Sequence, residues 1–168
     1  MTVFKGWNYL TSSIHSAMHE FYLMAQGKHQ SNQEYFNAFN TLSKGIDDAG
    51  AQIGIHPSLI ESVCEEICVD LLNPTSDEET IASSMAQQRY LTVAFLRDSD
   101  KVRYGLLVEN IEQEFLWNRN GTLKVGTYPV TVTEAYKYLD NYNKTELKKS
   151  DRKSDHHKRR NVIPPGRR

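Results

Sequence analysis

Apolar residues recur at intervals of three and four along most of the first 142 positions, and this spacing constrains the fold more than any other feature. Such a period places the apolar side chains on one face of an α-helix. It predicts helices over residues 4–26, 31–46, 57–71, 76–97, 98–115 and 131–142. Alternation typical of a strand is weak and confined to residues 122–132, where Gly126 and Pro129 interrupt it, so we predict an ordered loop there. The expected fold class is all-α, with about six helices.

Capping residues and glycines indicate where these helices begin and end. The capping-box spacing, in which a hydroxyl accepts a backbone N–H and a carboxylate bonds back to the cap, is assigned at three helix starts. Its members are Ser31 with Glu34, Ser76 with Glu79, and Thr131 with Glu134. Asp98 or Ser99 is expected to cap the fifth helix. Gly27 should follow the first helix with a positive φ, and Pro57 should open the third.

The apolar spacing also predicts which side chains form the core. Tyr35, Phe39 and Leu42 fall at spacings of four and three, so they should face the core as one stripe. In the last helix four residues are expected to be buried. They are Ala135, Tyr138, Leu139 and Tyr142.

The charges of the chain are divided between two regions. Residues 1–142 hold ten Lys+Arg and 18 Asp+Glu, a net charge of −8, whereas residues 143–168 hold ten Lys+Arg and three Asp+Glu, a net charge of +7. The second region has few apolar residues, so it cannot bury enough surface to offset the entropy of ordering. We therefore predict a helical domain over residues 1–142 and a disordered basic tail over residues 143–168.

The tail is the candidate nucleic-acid site, because Lys and Arg neutralise phosphates and release counterions. The candidate residues are Lys148, Lys149, Arg152, Lys153, Lys158, Arg159, Arg160, Arg167 and Arg168. No aromatic residue in the tail could stack on a base, so the contact should not depend on base sequence. A solubilising tail and a nuclear-import signal have the same composition and stay open as alternatives.

The sequence also bears on where the protein works. No apolar run approaches the ~20 residues that span a bilayer, and the first residues do not read as a secretion signal. Two cysteines make no disulfide framework, which favours a reducing compartment. We expect a protein of the cytoplasm or the nucleus that has no membrane contact.

Metal and catalytic chemistry have weak support in the sequence. His15 and His19 lie one helical turn apart, as do Cys64 and Cys68, but neither pair has the further ligands of a zinc site. Both thiols are interpreted as buried core residues. An acidic group on the third helix is interpreted as a solvated face rather than an acid–base pair. Its members are Glu65, Glu66 and Asp70. With no phosphate loop or nucleophile elbow either, we predict no metal, no cofactor and no enzymatic activity.

Two parts of the chain resemble Gag-like capsid proteins of Copia-type retrotransposons. Residues 26–39 are similar to the major homology region of Gag in their Gln-Gly pair and in the spacing of their aromatic residues. The matching positions are Gln26, Gly27, Glu34, Tyr35 and Phe39. Residues 95–107, 128–129 and 133–135 look like the later part of Copia-type Gag-like chains.

This resemblance implies a function for the two regions. It implies a Gag capsid-like helical bundle that associates with itself into a homo-oligomer, while the basic segment gathers RNA. The first helix would then end the capsid N-terminal half, and the remaining helices would form its C-terminal half. Two other functions stay open: a helical adaptor that binds protein partners, and a regulatory nucleic-acid-binding protein. The latter needs a basic recognition helix, whereas residues 1–142 are acidic.

Overall fold

The computed structural model describes residues 4–69, 73–116 and 128–143. Its helices are α1 (Phe4–Leu23), α2 (Asn32–Asp48), α3 (Pro57–Glu66), α4 (Ser76–Arg97), α5 (Lys101–Leu116) and α6 (132–143). The described ranges contain no strand, so the prediction of an all-α fold with about six helices is confirmed. Most of the loop predicted over residues 122–132 lies outside the described residues, as does residue 144 onward of the predicted tail.

The larger core cluster lies where α2 meets the end of α1, the second half of α4, and α5 and α6. Its buried members are Phe21, Tyr35, Phe39, Ile46, Ile53, Leu91, Phe95, Leu96, Tyr104, Val132, Ala135 and Leu139. The Phe95 ring stacks on Tyr35 at 4.6 Å between centroids and meets Phe39 edge-on at 5.2 Å. The Tyr35 hydroxyl donates to the Phe95 carbonyl oxygen at 3.0 Å, which satisfies the polar end of a buried side chain. The predicted stripe on α2 is confirmed, since Tyr35 and Phe39 are buried and Leu42 packs half-buried against the cluster.

A smaller cluster joins α3 to the first half of α4. Its buried members are Val63, Cys64, Ala82 and Ala86. Small alanines at the contact let the two helices approach closely. Because α4 is 22 residues long, it reaches both clusters and connects them.

Helix α3 ends at Glu66, earlier than the apolar spacing predicts. Cys68 has a φ of +59°, the left-handed conformation that ends many helices. The Cys68 N–H donates to the Glu65 carbonyl at 3.2 Å, and the Val69 N–H donates to the Cys64 carbonyl at 2.9 Å. Val69 also packs against the smaller cluster, and an apolar contact of this kind often accompanies such a helix end. Cys68 here occupies the left-handed position that is usually a glycine. The prediction that both cysteines are buried is wrong for Cys68, which is exposed.

The first of the three predicted capping boxes is confirmed at the start of α2. The Glu34 N–H donates to Ser31 Oγ at 3.2 Å, and the Ser31 N–H donates to a Glu34 carboxylate oxygen at 2.9 Å. At α6 half of the predicted box is present, since the Glu134 N–H donates to Thr131 Oγ1 at 3.2 Å. The Glu134 carboxylate accepts the N–H of Val130 at 2.9 Å, one residue before the cap.

Helix α4 begins with a capping box one residue earlier than predicted. The Glu78 N–H donates to Thr75 Oγ1 at 3.3 Å, and the Thr75 N–H donates to the Glu78 carboxylate at 2.8 Å. The predicted pair, Ser76 and Glu79, is therefore wrong, because Ser76 is the first helical residue. Both pairs fit the same spacing, but Thr75 has the extended backbone that a cap requires.

Asp100 caps α5, so the prediction of Asp98 or Ser99 is wrong. Asp100 Oδ1 accepts the N–H of Val102 at 2.9 Å and that of Arg103 at 3.4 Å. Asp98 instead ends α4, and the Ser99 hydroxyl donates to a carbonyl in the last turn of α4. Two residues are therefore used to finish one helix before the next begins.

The prediction of a positive φ at Gly27 is wrong. The glycines with positive φ in the described residues are Gly50 and Gly54. The turn after α1 closes instead by a bond from the Gln30 N–H to the Gly27 carbonyl at 3.0 Å, in a backbone conformation open to other residues. A Cβ added at Gly27 would meet Gln30 at an ordinary 3.6 Å.

One predicted core residue of α6 lies at the surface. Ala135 and Leu139 are buried, and Tyr142 is half-buried, but Tyr138 is 38% exposed. The buried positions of α6 begin at Val132 and follow at intervals of three and four. Tyr138 falls about 100° away from Leu139 around the helix, outside this stripe.

Candidate functional site

The turn between α1 and α2 lies against the turn between α4 and α5, and Gln26 joins them. The Gln26 backbone N–H donates to the Asp98 carbonyl at 2.8 Å, and its side-chain oxygen accepts the Asp100 N–H at 3.1 Å. Its side-chain nitrogen donates to Asn32 Oδ1 at 3.0 Å. With 6% of its surface exposed, Gln26 is a buried amide whose donors and acceptor connect chain segments 74 positions apart.

Arg103 makes a second connection between the same two turns. Its Nη2 donates to the Gly27 carbonyl at 3.1 Å and to the Gln30 carbonyl at 2.9 Å. Its Nε donates to Asp100 Oδ2 at 2.8 Å. The guanidinium thus binds two backbone carbonyls of one turn and the carboxylate that caps α5. These hydrogen bonds are charge-assisted, and the planar guanidinium has several N–H donors with which to form them.

Tyr104 completes the arrangement from within the core. Its hydroxyl donates to Asn32 Oδ1 at 2.8 Å, the same oxygen that accepts from Gln26. We call this set the Gln26 network. Its members are Gln26, Asn32, Asp100, Arg103 and Tyr104. In the part of the chain that the structure describes, no buried side-chain nitrogen or oxygen lacks a partner, so the network is fully satisfied.

The electrostatics of the Gln26 network suit a structural role. Burial raises the pKa of the Asp100 carboxyl, but bonds from the Arg103 side chain and from the Val102 and Arg103 N–H groups outweigh it and hold that pKa below its usual range. Burial raises the pKa of Tyr104. Asp100 is therefore ionised and Tyr104 neutral at neutral pH, and neither is placed to exchange a proton there.

The residues that carry the resemblance to Gag occupy structural positions. Gln26 belongs to the network, Tyr35 and Phe39 to the core, Glu34 to the α2 cap, and Gly27 to the turn that Arg103 binds. The structure also brings the two resembling parts of the chain together, because residues 26–39 meet residues 95–107 in this network. Sequence reasoning noted both parts but did not predict their contact.

The side chains considered as metal ligands occupy different surroundings. The His15 and His19 rings stack at 6.2 Å between centroids on an exposed part of α1, while Cys64 is buried beside α4 and Cys68 is exposed. Across residues 4–69, 73–116 and 128–143, no group of three or more His, Cys, Asp or Glu could hold a metal ion.

The acidic group predicted on α3 is exposed at Glu65 and Glu66, and Asp70 lies outside the described residues. Glu66 pairs with Arg89 of α4 at 2.7 Å. The hydrogen bond from Arg89 lowers the pKa of Glu66. This pair leaves Glu66 ionised, which agrees with a solvated face and not with an acid that delivers a proton.

One continuous segment of the helical region has only negative formal charges. Residues 45–88 contain nine Asp+Glu and no Lys or Arg, a pattern that sequence reasoning missed because it considered only the sum over residues 1–142. Every arginine in the described residues is ion-paired: Arg89 with Glu66, Arg97 with Glu112, and Arg103 with Asp100. The described surface therefore offers no group of unpaired guanidinium side chains to a polyanion.

A depression of about 340 Å³ lies between the end of α4 and α5. Its lining residues are Leu96, Arg97, Ser99, Lys101, Gly105, Val108, Glu109 and Glu112. Arg97 and Glu112 pair with each other at 2.8 Å there, so the two charges satisfy each other. The Ser99 hydroxyl in this depression donates to the Leu96 carbonyl at 2.7 Å, which ties it to the end of α4.

The nine basic residues predicted to bind nucleic acid lie outside the described residues. No described helix is both long enough and apolar enough to cross a membrane. Comparison with known protein families, curated proteins and solved structures finds no match to this chain. The resemblance to Gag therefore stays a prediction from the sequence.

Proposed function

We propose that this protein is a non-enzymatic, Gag-like structural protein that associates with itself through its helical domain and binds RNA through its basic tail. The observation that carries the proposal is the separation of charge. The helical part has a net charge of −8 and the last 26 residues have a net charge of +7. Phosphate is repelled by the first region and attracted by the second.

The ion pairs of the helical part support assigning RNA to the tail. Each of its described arginines is held by a carboxylate, and the exposed lysines Lys28, Lys44, Lys101 and Lys137 come from four different parts of the chain. A helix that reads nucleic acid needs clustered basic residues on one face. The alternative in which the helical part itself reads nucleic acid therefore has weaker support than binding through the tail.

The Gln26 network supports a structural role for the region that resembles Gag. Four of its five members are buried, all but Arg103, and their polar groups bond to one another. Buried networks whose members are all satisfied hold one arrangement of the elements that they join. A subunit that must pack repeatedly against copies of itself needs such a fixed shape, because interfaces require complementary surfaces.

The test is the molar mass of the purified full chain, measured by size-exclusion chromatography with light scattering, with and without single-stranded RNA. We expect oligomers whose mass rises with protein concentration, and further growth when RNA is added. A control with the nine basic tail residues changed to Gln should still form the RNA-free oligomers and should not respond to RNA. A strict monomer that ignores RNA would overturn the proposal and favour the adaptor.

A further inference from the structure

Beyond its Asp100 cap, helix α5 lacks the charge order that stabilises a single helix. Its first turn has no acidic residue and its last turn no basic one. Lys101 instead begins the helix, whereas Glu109 and Glu112 lie in its second half. Carboxylates favour the positive N-terminal end of a helix dipole, and cations favour its C-terminal end. The charges of α5 therefore match a second helix that runs antiparallel to it better than they match its own dipole.

One face of α5 has a glycine at its centre. Lys101, Val102, Gly105, Val108 and Glu109 lie within about 60° of one direction around the helix, and we call these five residues the Gly105 face. Val102 is 89% exposed, and both charged residues are exposed. No other part of the described chain lies within 4 Å of a Cβ added at Gly105, and four of the five residues line the depression between α4 and α5. A second helix can therefore approach α5 closely there.

The Gly105 face is complementary to itself when a copy of α5 runs antiparallel with the two Gly105 residues opposed. Positions equally far from Gly105 on its two sides then lie at the same level. Lys101 is four positions before Gly105 and Glu109 is four after it, so each lysine lies beside the glutamate of the other copy. Val102 and Val108, three positions before and after, also share a level. Opposite charges thus meet at both ends of the contact, with apolar side chains between them and the smallest residue at the centre.

The charges just beyond the Gly105 face are compatible with this pairing. Glu112 is seven positions after Gly105, and the position seven before it is Asp98. Asp98 does not belong to α5, since it ends α4 and is half-buried. Glu112 pairs with Arg97 of its own chain at 2.8 Å. An antiparallel copy therefore brings a neutralised carboxylate, and not an additional net charge, to this end of the contact.

We infer that the Gly105 face is a two-fold contact at which α5 pairs antiparallel with α5 of a second copy of this chain. The inference rests on the proposed self-association and names its surface. A two-fold interface needs a patch that is complementary to itself, and the arrangement of charges fixes its orientation. A parallel pair would oppose Lys101 to Lys101 and Glu109 to Glu109, and such contacts between like charges disfavour it.

The first test is sedimentation equilibrium of the full chain, without RNA, with the two charges reversed singly and together. Lys101→Glu and Glu109→Lys each oppose like charges at both ends of the contact, so the dimer dissociation constant should rise at least about tenfold. The double variant exchanges the two charges and should recover most of the affinity. An equimolar mixture of the two single variants should also associate, because every lysine of one chain then meets a glutamate of the other.

The matched control for charge is Lys44→Glu, which reverses an exposed lysine on α2. It should leave the dissociation constant unchanged. Both single variants of α5 should keep the helical circular dichroism of the unchanged chain, because a glutamate at the start of a helix and a lysine nearer its end agree with the helix dipole. Loss of association in these variants then reports the contact and not the fold.

The second test is disulfide trapping, which does not depend on the charges. In a Cys68→Gly background, which removes the exposed native thiol, Gly105→Cys should form a covalent dimer on mild oxidation. The opposed Cα atoms of two closely packed helices lie within the roughly 7 Å that a disulfide can bridge. Gly45→Cys is the control, since Gly45 is a similarly open glycine within α2. No covalent dimer from Gly105→Cys, or equal amounts from both variants, would overturn the proposed contact.

The outcomes separate this inference from the proposed function. If the unchanged chain self-associates and both single variants do so equally well, the Gly105 face is wrong and self-association proceeds through another surface. Weakening by the single variants without recovery in the double variant would contradict antiparallel pairing. If the unchanged chain is a monomer at every concentration, with and without RNA, the proposed function fails as well. Weakening by each reversal, recovery in the double variant and in the mixture, and trapping at Gly105→Cys alone are the results that we expect.

Discussion

Phe39 is a buried residue that links α2 to two other helices. Its ring lies 5.4 Å from the Phe21 ring of α1 and 5.2 Å from the Phe95 ring of α4, and 1% of its surface is exposed. Phe39→Ala removes these contacts and leaves a cavity, so we expect a loss of about 3–5 kcal/mol in the free energy of unfolding. Leu106→Ala, at a position of α5 that is 69% exposed, is the control and should cost much less.

Chemical denaturation followed by circular dichroism measures both changes, and light scattering measures assembly. Self-association should be lost with Phe39→Ala because the fold is lost. A Phe39→Ala protein that keeps its melting temperature but fails to assemble would place Phe39 at an interface and contradict its assignment to the core.

Two glycines should respond to alanine in opposite directions. Gly54 has a φ of +78°, and an added Cβ would lie 2.7 Å from the Tyr90 side chain. Gly45 lies within α2 with no atom within 4 Å of an added Cβ. Gly54→Ala should therefore destabilise the protein by about 1–3 kcal/mol, whereas Gly45→Ala should stabilise it by about 0.5–1 kcal/mol. Urea midpoints compare the two, and shifts of the same sign would refute this account.

At the scale of elements, the start of α4 depends on which residue is the cap. The Thr75 hydroxyl accepts a backbone N–H, whereas Ser76 is already helical. Thr75→Ala should lower the free energy of unfolding by about 1 kcal/mol, and Ser76→Ala should change it by no more than a few tenths. Thermal or chemical unfolding of the two variants measures the difference. A larger effect at Ser76 would instead support Ser76 as the cap of α4, as predicted from the sequence.

Asp100 should make the junction between α4 and α5 sensitive to acid. Its pKa is lower in the folded protein than in the unfolded chain, so its contribution is complete above the unfolded value of about 3.9 and is lost as the pH falls through the folded value. Asp100→Asn should cost about 1–2 kcal/mol at pH 7, and the gap to the unchanged protein should narrow as the pH falls below the unfolded value of about 3.9. Denaturant titrations across pH measure this gap, and a gap that persists in acid would contradict the assigned ion pair.

An element could be predicted from the sequence where residues close together in the chain determine it. Helices α1, α2 and α4 follow from apolar spacing, since that pattern is a property of a single element. The α4 cap was misplaced by one residue because two hydroxyl and carboxylate pairs there have the same spacing. The end of α3 was missed because Cys68, and not a glycine, adopts the left-handed turn.

The candidate site was predictable only in part, for a related reason. The distances that define the Gln26 network join residues more than 70 positions apart, and no local pattern specifies such pairing. Which side chains of α1 are exposed depends in the same way on where the other helices pack against it. Gln26 and Arg103 could be noted as part of a resemblance, but their contact through the Gly27 turn required the fold.

At the scale of the whole molecule, the distribution of charge assigns the two proposed functions, self-association and RNA binding, to different parts of the chain. Residues 45–88 have nine acidic residues and no basic ones, which disfavours RNA and disfavours contact between copies at that surface. Residues 6–27, by contrast, contain a single charged side chain, Glu20. The last 26 residues hold ten of the 20 basic residues of the chain. Self-association and RNA binding should therefore be separable, since each depends on a different part of the chain.

The most direct measurement of this division is the RNA affinity of the full chain as a function of salt concentration. Binding should weaken steeply, with a slope of log affinity against log salt reaching about −6 if all nine tail cations contact phosphate. The chain with those nine residues changed to Gln should lose binding while keeping its helical circular dichroism. Affinity that survives this change, or that does not respond to salt, would place the RNA site in the helices and contradict the account.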